Sequence, residues 1–158
     1  MPITFDAFIT KYTGKPVDYD GIYPNQCMDL MHFYVEEVLG FTNKSLLAAP
    51  SASQAYLNYS GSEFQKIDNS FLNVPQKGDI LFFGTKVGPY GHVCIFTSGN
   101  VLNFKSFDAN WPVGSLPHIQ DHNYIGVLGW LRVKQIPVVS KYETAYKQIK
   151  AIIDATGA

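Results

Sequence analysis

The second half of the chain consists of short apolar segments separated by turns rich in glycine and proline, and this pattern constrains the fold most strongly. After a turn at 75–79, the pattern predicts strands over 80–83, 92–97, 101–108 and 124–133. Connections of hairpin length favour antiparallel pairing between neighbouring strands. The segment 109–123 contains two prolines and a glycine, and we expect it to be a long loop.

The first half of the chain has helical periodicity instead. Apolar residues at i, i+3, i+4 and i+7 predict a helix over 3–13, and a second apolar stripe predicts one from about residue 26 to residue 39. Residues 48–59 could form a third, short helix, with its cap within 51–54. Helices followed by an antiparallel sheet predict an α+β domain.

The chain is long enough for one domain with a single core, since it has 158 residues. We place this domain at 1–135, and a helical pattern after a break predicts a C-terminal linker or helix over 136–158. The formal net charge is −1 and no basic stripe is present, which argues against a nucleic-acid partner. We expect a monomer.

The N-terminal residues lack the basic and apolar regions of a secretory signal, and no apolar run reaches the roughly 20 residues that cross a bilayer. We therefore expect synthesis in the cytoplasm without membrane insertion. If the protein acts outside the cell, another factor must release it.

Two cysteines have different contexts. Cys27 falls in the first turn of the second predicted helix, where the partial positive charge of a helix N-terminus stabilises an anion. Cys27 is therefore a candidate nucleophile, although a buried structural thiol is the alternative. Cys94 lies in the middle of a predicted strand, which is typical of a small buried hydrophobic residue.

A cysteine nucleophile needs a base, and His92 is the best placed of the four histidines. It opens a predicted strand directly after Gly91, which would leave space there for a substrate backbone. His32 is on the cysteine helix but is turned away from the thiol. His118 and His122 fall in the predicted loop, where we expect exposed side chains.

The strand that follows His92 ends in polar residues that could orient its ring. Asp108 and Asn110 alternate onto one face, and either could accept a hydrogen bond from the far ring nitrogen of His92. An oxyanion hole would combine the backbone N–H of the cysteine with the side chain of Gln26 or of Asn25.

Three carboxylates, Asp18, Asp20 and Asp29, surround the turn at Gly21. Carboxylate and carbonyl oxygens are the ligands that Ca²⁺ prefers. The Asp-x-Asp-Gly sequence at 18–21 resembles the opening of an EF-hand loop. The glutamate required at the twelfth position of that loop is missing, and a polar turn capped by an aspartate is the alternative.

Taken in order, five segments of this chain resemble the cysteine, histidine-dependent amidohydrolase/peptidase (CHAP) family, a papain-like group common in phage endolysins and bacterial wall hydrolases. These segments are 25–30, 77–80, 91–93, 108–111 and 126–132. The resemblance covers about residues 5–133 and implies a papain-like fold, with N-terminal helices packed on the antiparallel sheet.

The resemblance also implies roles for individual residues. Cys27 would be the nucleophile, His92 the base, Asp108 the residue that orients His92, Asn110 a fourth polar member and Gln26 the group that polarises the scissile carbonyl. The implied reaction is hydrolysis of a peptidoglycan amide through a thioester acyl-enzyme. The enzyme would be an N-acetylmuramoyl-L-alanine amidase or a peptidoglycan endopeptidase.

A structural calcium site is a further implication of the resemblance. Asp18, Asp20 and Asp29 would supply carboxylates, and Ile22 and Pro24 would supply backbone oxygens. The ion would fix the loop that leads into the cysteine helix.

Tyr23 and Trp111 are candidates to contact substrate, because each lies in a loop beside a predicted catalytic segment, whereas Trp130 is expected in the core. Two other functions stay open. One is a thiol peptidase of the NlpC/P60 type with a different third residue. The other is a non-catalytic wall-binding or calcium-binding module.

Overall fold

The computed structural model describes residues 2–134, and it confirms the predicted α+β class. Three helices precede the main part of the sheet: α1 (Phe5–Tyr12), α2 (Cys27–Glu37) and α3 (Ala52–Leu57). The strands are β1 (Phe64–Asp68), β2 (Ile80–Phe83), β3 (His92–Gly99), β4 (Asn103–Asp108), β5 (His118–Asn123) and β6 (Val127–Val133). The linker or helix predicted over 136–158 lies outside the described residues.

The helices begin where local capping chemistry predicts. Thr4 accepts a hydrogen bond from the backbone of Ala7 at the start of α1, and Ser51 does the same for Gln54 in α3. Within residues 2–134, none of the helices combines the length and apolarity needed to cross a membrane.

The six strands form one antiparallel sheet in the order β1-β6-β2-β3-β4-β5. Strands β2 to β5 pair in chain order, whereas β6 inserts between β1 and β2. The predicted loop over 109–123 is wrong in its second half, where β5 pairs with β4. The β5 sequence, His-Ile-Gln-Asp-His-Asn, contains one β-branched residue and no alternating apolar pattern, so its residues do not predict a strand.

The sheet separates two apolar clusters. The larger contains the helices and one face of the strands, including Phe8, Tyr34, Phe82, Ile95 and Phe107. The buried members of the smaller cluster come from strands alone: Leu81, Phe83, Cys94, Phe96, Phe104, Val127 and Trp130. Because α2 packs against β3, the first turn of α2 is brought towards the start of that strand.

An ion pair between a buried aspartate and a partly exposed arginine joins the start of β2 to the end of β6. Arg132 Nη2 lies 2.7 Å from Asp79 Oδ2, and Arg132 Nε lies 3.0 Å from Asp79 Oδ1. Asp79 Oδ2 also accepts a hydrogen bond from the backbone N–H of Gln76 at 2.7 Å. Nearby, the Tyr34 hydroxyl of α2 donates to the carbonyl of Gly78 at 2.9 Å. Two of the segments that carry the family resemblance, 77–80 and 126–132, are thus held together by these contacts.

Candidate active site

The thiol of Cys27 lies at the N-terminus of α2, as the sequence predicts. Cys27 is the first helical residue and is half-buried, and Gln26 is the N-cap residue with an extended backbone. Asp29 Oδ2 accepts from the backbone N–H of Gln26 at 2.9 Å, and Asp29 Oδ1 accepts from that of Tyr19 at 3.1 Å. These bonds fix the preceding loop against the helix that carries the thiol.

His92 is the first residue of β3, and its side chain is buried. The preceding Gly91 has a φ of 69°, and a Cβ atom there would collide with the carbonyl oxygen of Phe83. The expectation that Gly91 leaves space for a substrate is therefore wrong. Glycine is needed at this position because the backbones of the β2–β3 connection approach closely.

Asp108 is the residue that bonds to the ring of His92. His92 Nε2 lies 3.1 Å from Asp108 Oδ2, and both side chains are buried. Burial raises the pKa of Asp108, but hydrogen bonds from His122 and His92 outweigh it, so the pKa is lowered overall. An ionised carboxylate can only accept hydrogen bonds, so His92 Nε2 carries a proton and Nδ1 is the ring nitrogen that Asp108 leaves free.

The environment of His92 favours its protonated form. Burial lowers the pKa of His92, but hydrogen bonds with Asp108 and with the Cys27 side chain outweigh burial and raise the pKa to about 9. His92 is therefore an imidazolium at neutral pH. The site therefore places a protonated imidazole next to the Cys27 side chain at the start of α2.

His122 belongs to the same cluster, and the prediction that it is exposed in a loop is wrong. It lies in β5, its side chain is buried, and its Nε2 is 2.7 Å from Asp108 Oδ2. In the strand register, His122 is opposite Phe104, whereas Asp108 is opposite His118. The two side chains nevertheless converge, and no local sequence signal predicts this contact.

The other histidines lie elsewhere. His118 bonds to the carbonyl of Leu116 at 2.8 Å and to the Gln120 side chain at 3.1 Å. The ring of His32 stacks on Tyr19 at a centroid distance of 5.1 Å. Burial lowers the pKa of His32, although the charge of Asp20 partly opposes this shift.

Asn110 follows β4 and faces Gln26. Its Nδ2 donates to Gln26 Oε1 across 3.5 Å, and its Oδ1 accepts from the backbone of Gly114 at 2.7 Å. Asn25 instead closes the loop, because its Oδ1 accepts from the backbone N–H of Val17 at 2.9 Å and its own N–H donates back to Val17. Gln26 is therefore the better placed of the two amides to face a substrate carbonyl.

The three carboxylates of the acidic loop converge. Asp18, Asp20 and Asp29 each place an oxygen within 4.8 Å of those of the other two. Asp18 and Asp20 each use one oxygen to accept a hydrogen bond at 2.8 Å, from the backbone of Gly21 and Ile22 respectively. The turn capped by aspartates, which the sequence left open as the alternative, is therefore present. The three converging carboxylates also offer the oxygen ligands that a hard cation prefers.

The neighbouring negative charges of this loop affect the pKa of Asp29, its buried carboxylate. Burial raises the pKa of Asp29, backbone hydrogen bonds from Tyr19 and Gln26 lower it, and the charges of Asp20 and Asp18 raise it, with a net upward shift. Ile22 and Pro24 lie in the same loop and are exposed. A bound cation would relieve the repulsion among the carboxylates.

The two predicted substrate contacts have different surroundings. Trp111 stacks on Phe83 at a centroid distance of 5.6 Å and lies 4.9 Å from the ring of His92. Tyr23, in the loop before Cys27, is 78% exposed. Trp130 is fully buried, as predicted.

Comparison with known proteins identifies phage endolysins as relatives. No family model matches the chain. It is 30% identical over 152 residues to endolysin LysK of Staphylococcus phage K, an alignment that covers 91% of this chain and 30% of LysK. It is 26% identical over 137 residues to endolysin PlyTW of Staphylococcus phage Twort, with 80% of this chain and 29% of PlyTW covered. The chain thus spans less than a third of the length of these two relatives.

A solved structure supports the fold. The crystal structure of the endolysin LysIME-EF1 has a TM-score of 0.65 and 27% identity to this chain, and the match covers 86% of this chain and 67% of that one.

Proposed function

We propose that residues 1–135 form a CHAP-type catalytic domain that hydrolyses an amide bond of bacterial peptidoglycan. The observation that carries this proposal is the buried His92–Asp108 pair beside Cys27 at the start of α2. The similarity to staphylococcal phage endolysins supports a wall substrate. The domain would act as a monomer on the wall after release from the cytoplasm by another factor, such as a holin.

The first half of the reaction forms a thioester. The sulfur of Cys27 attacks the carbonyl carbon, and the carbonyl electron pair moves onto the oxygen. The backbone N–H of Cys27 and the amide nitrogen of Gln26 donate to that oxygen. When the intermediate collapses, the C–N bond breaks and the departing nitrogen takes the proton from His92 Nδ1.

The second half releases the product with water. Neutral His92 accepts a proton at Nδ1 as the water oxygen bonds to the thioester carbon. The C–S bond then breaks, its electron pair returns to sulfur, and a carboxylic acid leaves. Asp108 holds the ring of His92 in one orientation during both steps, and Asn110 holds the Gln26 amide.

Trp111 and Tyr23 are proposed to contact the substrate on either side of the thiol. The ring of Trp111 lies beside His92, so it can pack against the part of the substrate next to the bond that is cut. The exposed ring of Tyr23 offers an aromatic face for a sugar or a stem peptide.

We also propose that Asp18, Asp20 and Asp29 hold Ca²⁺, together with the backbone oxygens of Ile22 and Pro24. The donor set fits, since three carboxylates converge and a hard cation takes oxygen ligands. When bound, the ion supplies positive charge that orders the loop before Cys27. It takes no part in bond breaking.

The test of the hydrolase is digestion of purified peptidoglycan from several species, followed by mass spectrometry of the released fragments. Stem peptides with a new N-terminal alanine would identify an N-acetylmuramoyl-L-alanine amidase, and cut stems or cross-bridges would identify an endopeptidase. Cys27→Ala is the matched control and should release nothing. If the wild-type protein releases no fragments from any wall, the hydrolase proposal is wrong.

A second measurement separates the enzyme from a non-catalytic module. Iodoacetamide at neutral pH should alkylate Cys27 and leave the buried Cys94 unmodified. Burial raises the pKa of Cys94, which makes that thiol an internal control. An unreactive Cys27 would favour a structural role for its thiol.

A further inference from the structure

Two histidines donate to the same oxygen of Asp108. His122 Nε2 lies 2.7 Å from Asp108 Oδ2, and His92 Nε2 lies 3.1 Å from it. The other carboxylate oxygen, Oδ1, is buried and has no hydrogen-bond partner among the residues that the structure describes. Asp108 itself is fully buried.

We propose that His122 is a positioning residue of the active site: its Nε2–H group fixes the carboxylate of Asp108 so that Oδ2 continues to face His92. This inference rests on the proposed function, because it assigns His122 a part in the same reaction. His122 acts through Asp108 and does not contact the reacting atoms.

The geometry explains why a second donor is needed. An aspartate carboxylate can rotate about its terminal torsion and exchange its two oxygens with little resistance. Within residues 2–134 nothing bonds to Oδ1, so without His122 the bond to His92 alone would have to prevent this rotation. The shorter bond from His122 adds a second constraint on Oδ2 and spreads the buried negative charge over two donors.

The ring of His122 is well suited to this role because aromatic side chains surround it. Its centroid lies 5.3 Å from that of Phe83, 5.3 Å from that of Phe104 and 5.1 Å from that of Trp111. Packing of this kind restricts the imidazole to one orientation. The ring can therefore impose its own orientation on the carboxylate.

The second donor matters most in the middle of the reaction. When His92 gives its proton to the departing nitrogen, Asp108 loses a cationic partner while it stays buried. The N–H of His122 still compensates the carboxylate at that stage. Asp108 is then in place when His92 must accept a proton from water.

The experiment compares two substitutions at one position with a control on the same strand. His122→Gln keeps a side-chain N–H donor of similar reach, and His122→Phe keeps a planar ring but removes the donor. His118→Phe is the control, since His118 lies in β5 and bonds to Leu116 and Gln120 instead. All three proteins are first checked for a folded far-UV spectrum and a cooperative melt.

The first readout is the NMR signal of the His92 Nε2 proton in protein labelled with ¹⁵N-histidine, and it requires no substrate. We expect a slowly exchanging signal in the wild type, in His122→Gln and in His118→Phe, and exchange about tenfold faster in His122→Phe. If wall hydrolysis itself is never observed, this readout still tests the inference.

The second readout is the kinetics of wall hydrolysis. His122→Phe should lower kcat about tenfold with little change in KM, and His122→Gln should restore most of kcat. Equal losses in the Phe and Gln variants would overturn the inference, and so would an unchanged His92 signal in His122→Phe.

A measurement on the wild-type protein covers the case in which His122→Phe does not fold. The ¹⁵N shifts of His122 should show a proton on Nε2, because Asp108 can only accept. The nitrogen and oxygen atoms of His92, Asp108 and His122 also lie close enough to bind a metal ion. An unprotonated Nε2, or a metal in the purified protein that His122→Gln loses, would overturn the positioning role.

Discussion

Arg132 at the end of β6 bonds through two nitrogens to Asp79 at the start of β2, and the carboxylate of Asp79 is buried. This contact joins two strands that are far apart in the sequence but adjacent in the sheet. Removing the arginine leaves the buried carboxylate of Asp79 without its counter-charge.

We therefore expect Arg132→Met to lower the free energy of unfolding by roughly 2–3 kcal/mol. The loss should be smaller than for a fully buried pair, because the arginine is partly exposed to water. Urea denaturation followed by fluorescence measures this change. The control is Lys105→Met, whose ion pair with Asp121 is exposed on both sides and should contribute less than about 1 kcal/mol. Equal effects of the two substitutions would argue against a special role for Arg132.

Asp108→Asn should reduce the rate of wall hydrolysis on the order of 100-fold, because the neutral amide lacks the negative charge that helps to keep His92 protonated. Loss of turbidity in a suspension of purified walls measures the rate. Asp121→Asn changes an exposed carboxylate on β5 and should retain wild-type activity. Asp108→Asn with normal activity and a normal melting temperature would contradict the assigned role.

The activity should decline as the pH rises through about 9, since His92 then loses the proton that it gives to the departing nitrogen. Initial rates across the alkaline range, at constant ionic strength, test this. A decline centred near pH 6.5, the ordinary pKa of histidine, would show that the hydrogen bonds to His92 do not hold its proton.

The same group affects stability. The pKa of His92 is higher in the folded protein than in the unfolded chain, so the folded state binds the proton more tightly. Its contribution to the free energy of unfolding is complete below about pH 6.5 and is lost as the pH rises through about 9. His92→Gln should lack this part of the pH dependence, and urea midpoints at several pH values would reveal the difference.

Calcium should raise the melting temperature of the wild-type protein, and a chelator should lower it to that of the ion-free form. Asp20→Asn should weaken this response, because it removes one carboxylate from the cluster. Asp6→Asn is the control, since Asp6 is an exposed acidic residue of α1 paired with Lys77. A wild-type melting temperature that is the same with calcium and with chelator would rule out the site.

The parts of the site that the sequence predicted are those set by local pattern. A helical stripe placed Cys27 in a first turn, and strand patterns placed His92 at one strand start and Asp108 at another strand end. Each position depends on a few neighbouring residues, and pairing between successive strands then brings them together.

The sequence did not predict the role of His122, because its position depends on contacts between residues that are distant in the chain. Its strand lacks the residues that favour strands, and its contact with Asp108 does not follow from the pairing register of β4 and β5. The close approach at Gly91 was missed in the same way, because it depends on how two backbones meet. Contacts of this kind arise from the three-dimensional path of the chain.

The position of β6 has a consequence for how the domain can be made. Strand β1 pairs only with β6 within the described sheet, and β2 also pairs with β6, so the last of the six described strands fills the gap between two earlier ones. While β6 is still inside the ribosome, the nascent chain already contains Cys27, His92 and Asp108, but its sheet is incomplete. We expect chains that stop before Val127 to expose apolar edges and to be degraded, so that translation must pass this strand before a complete sheet can hold these three groups.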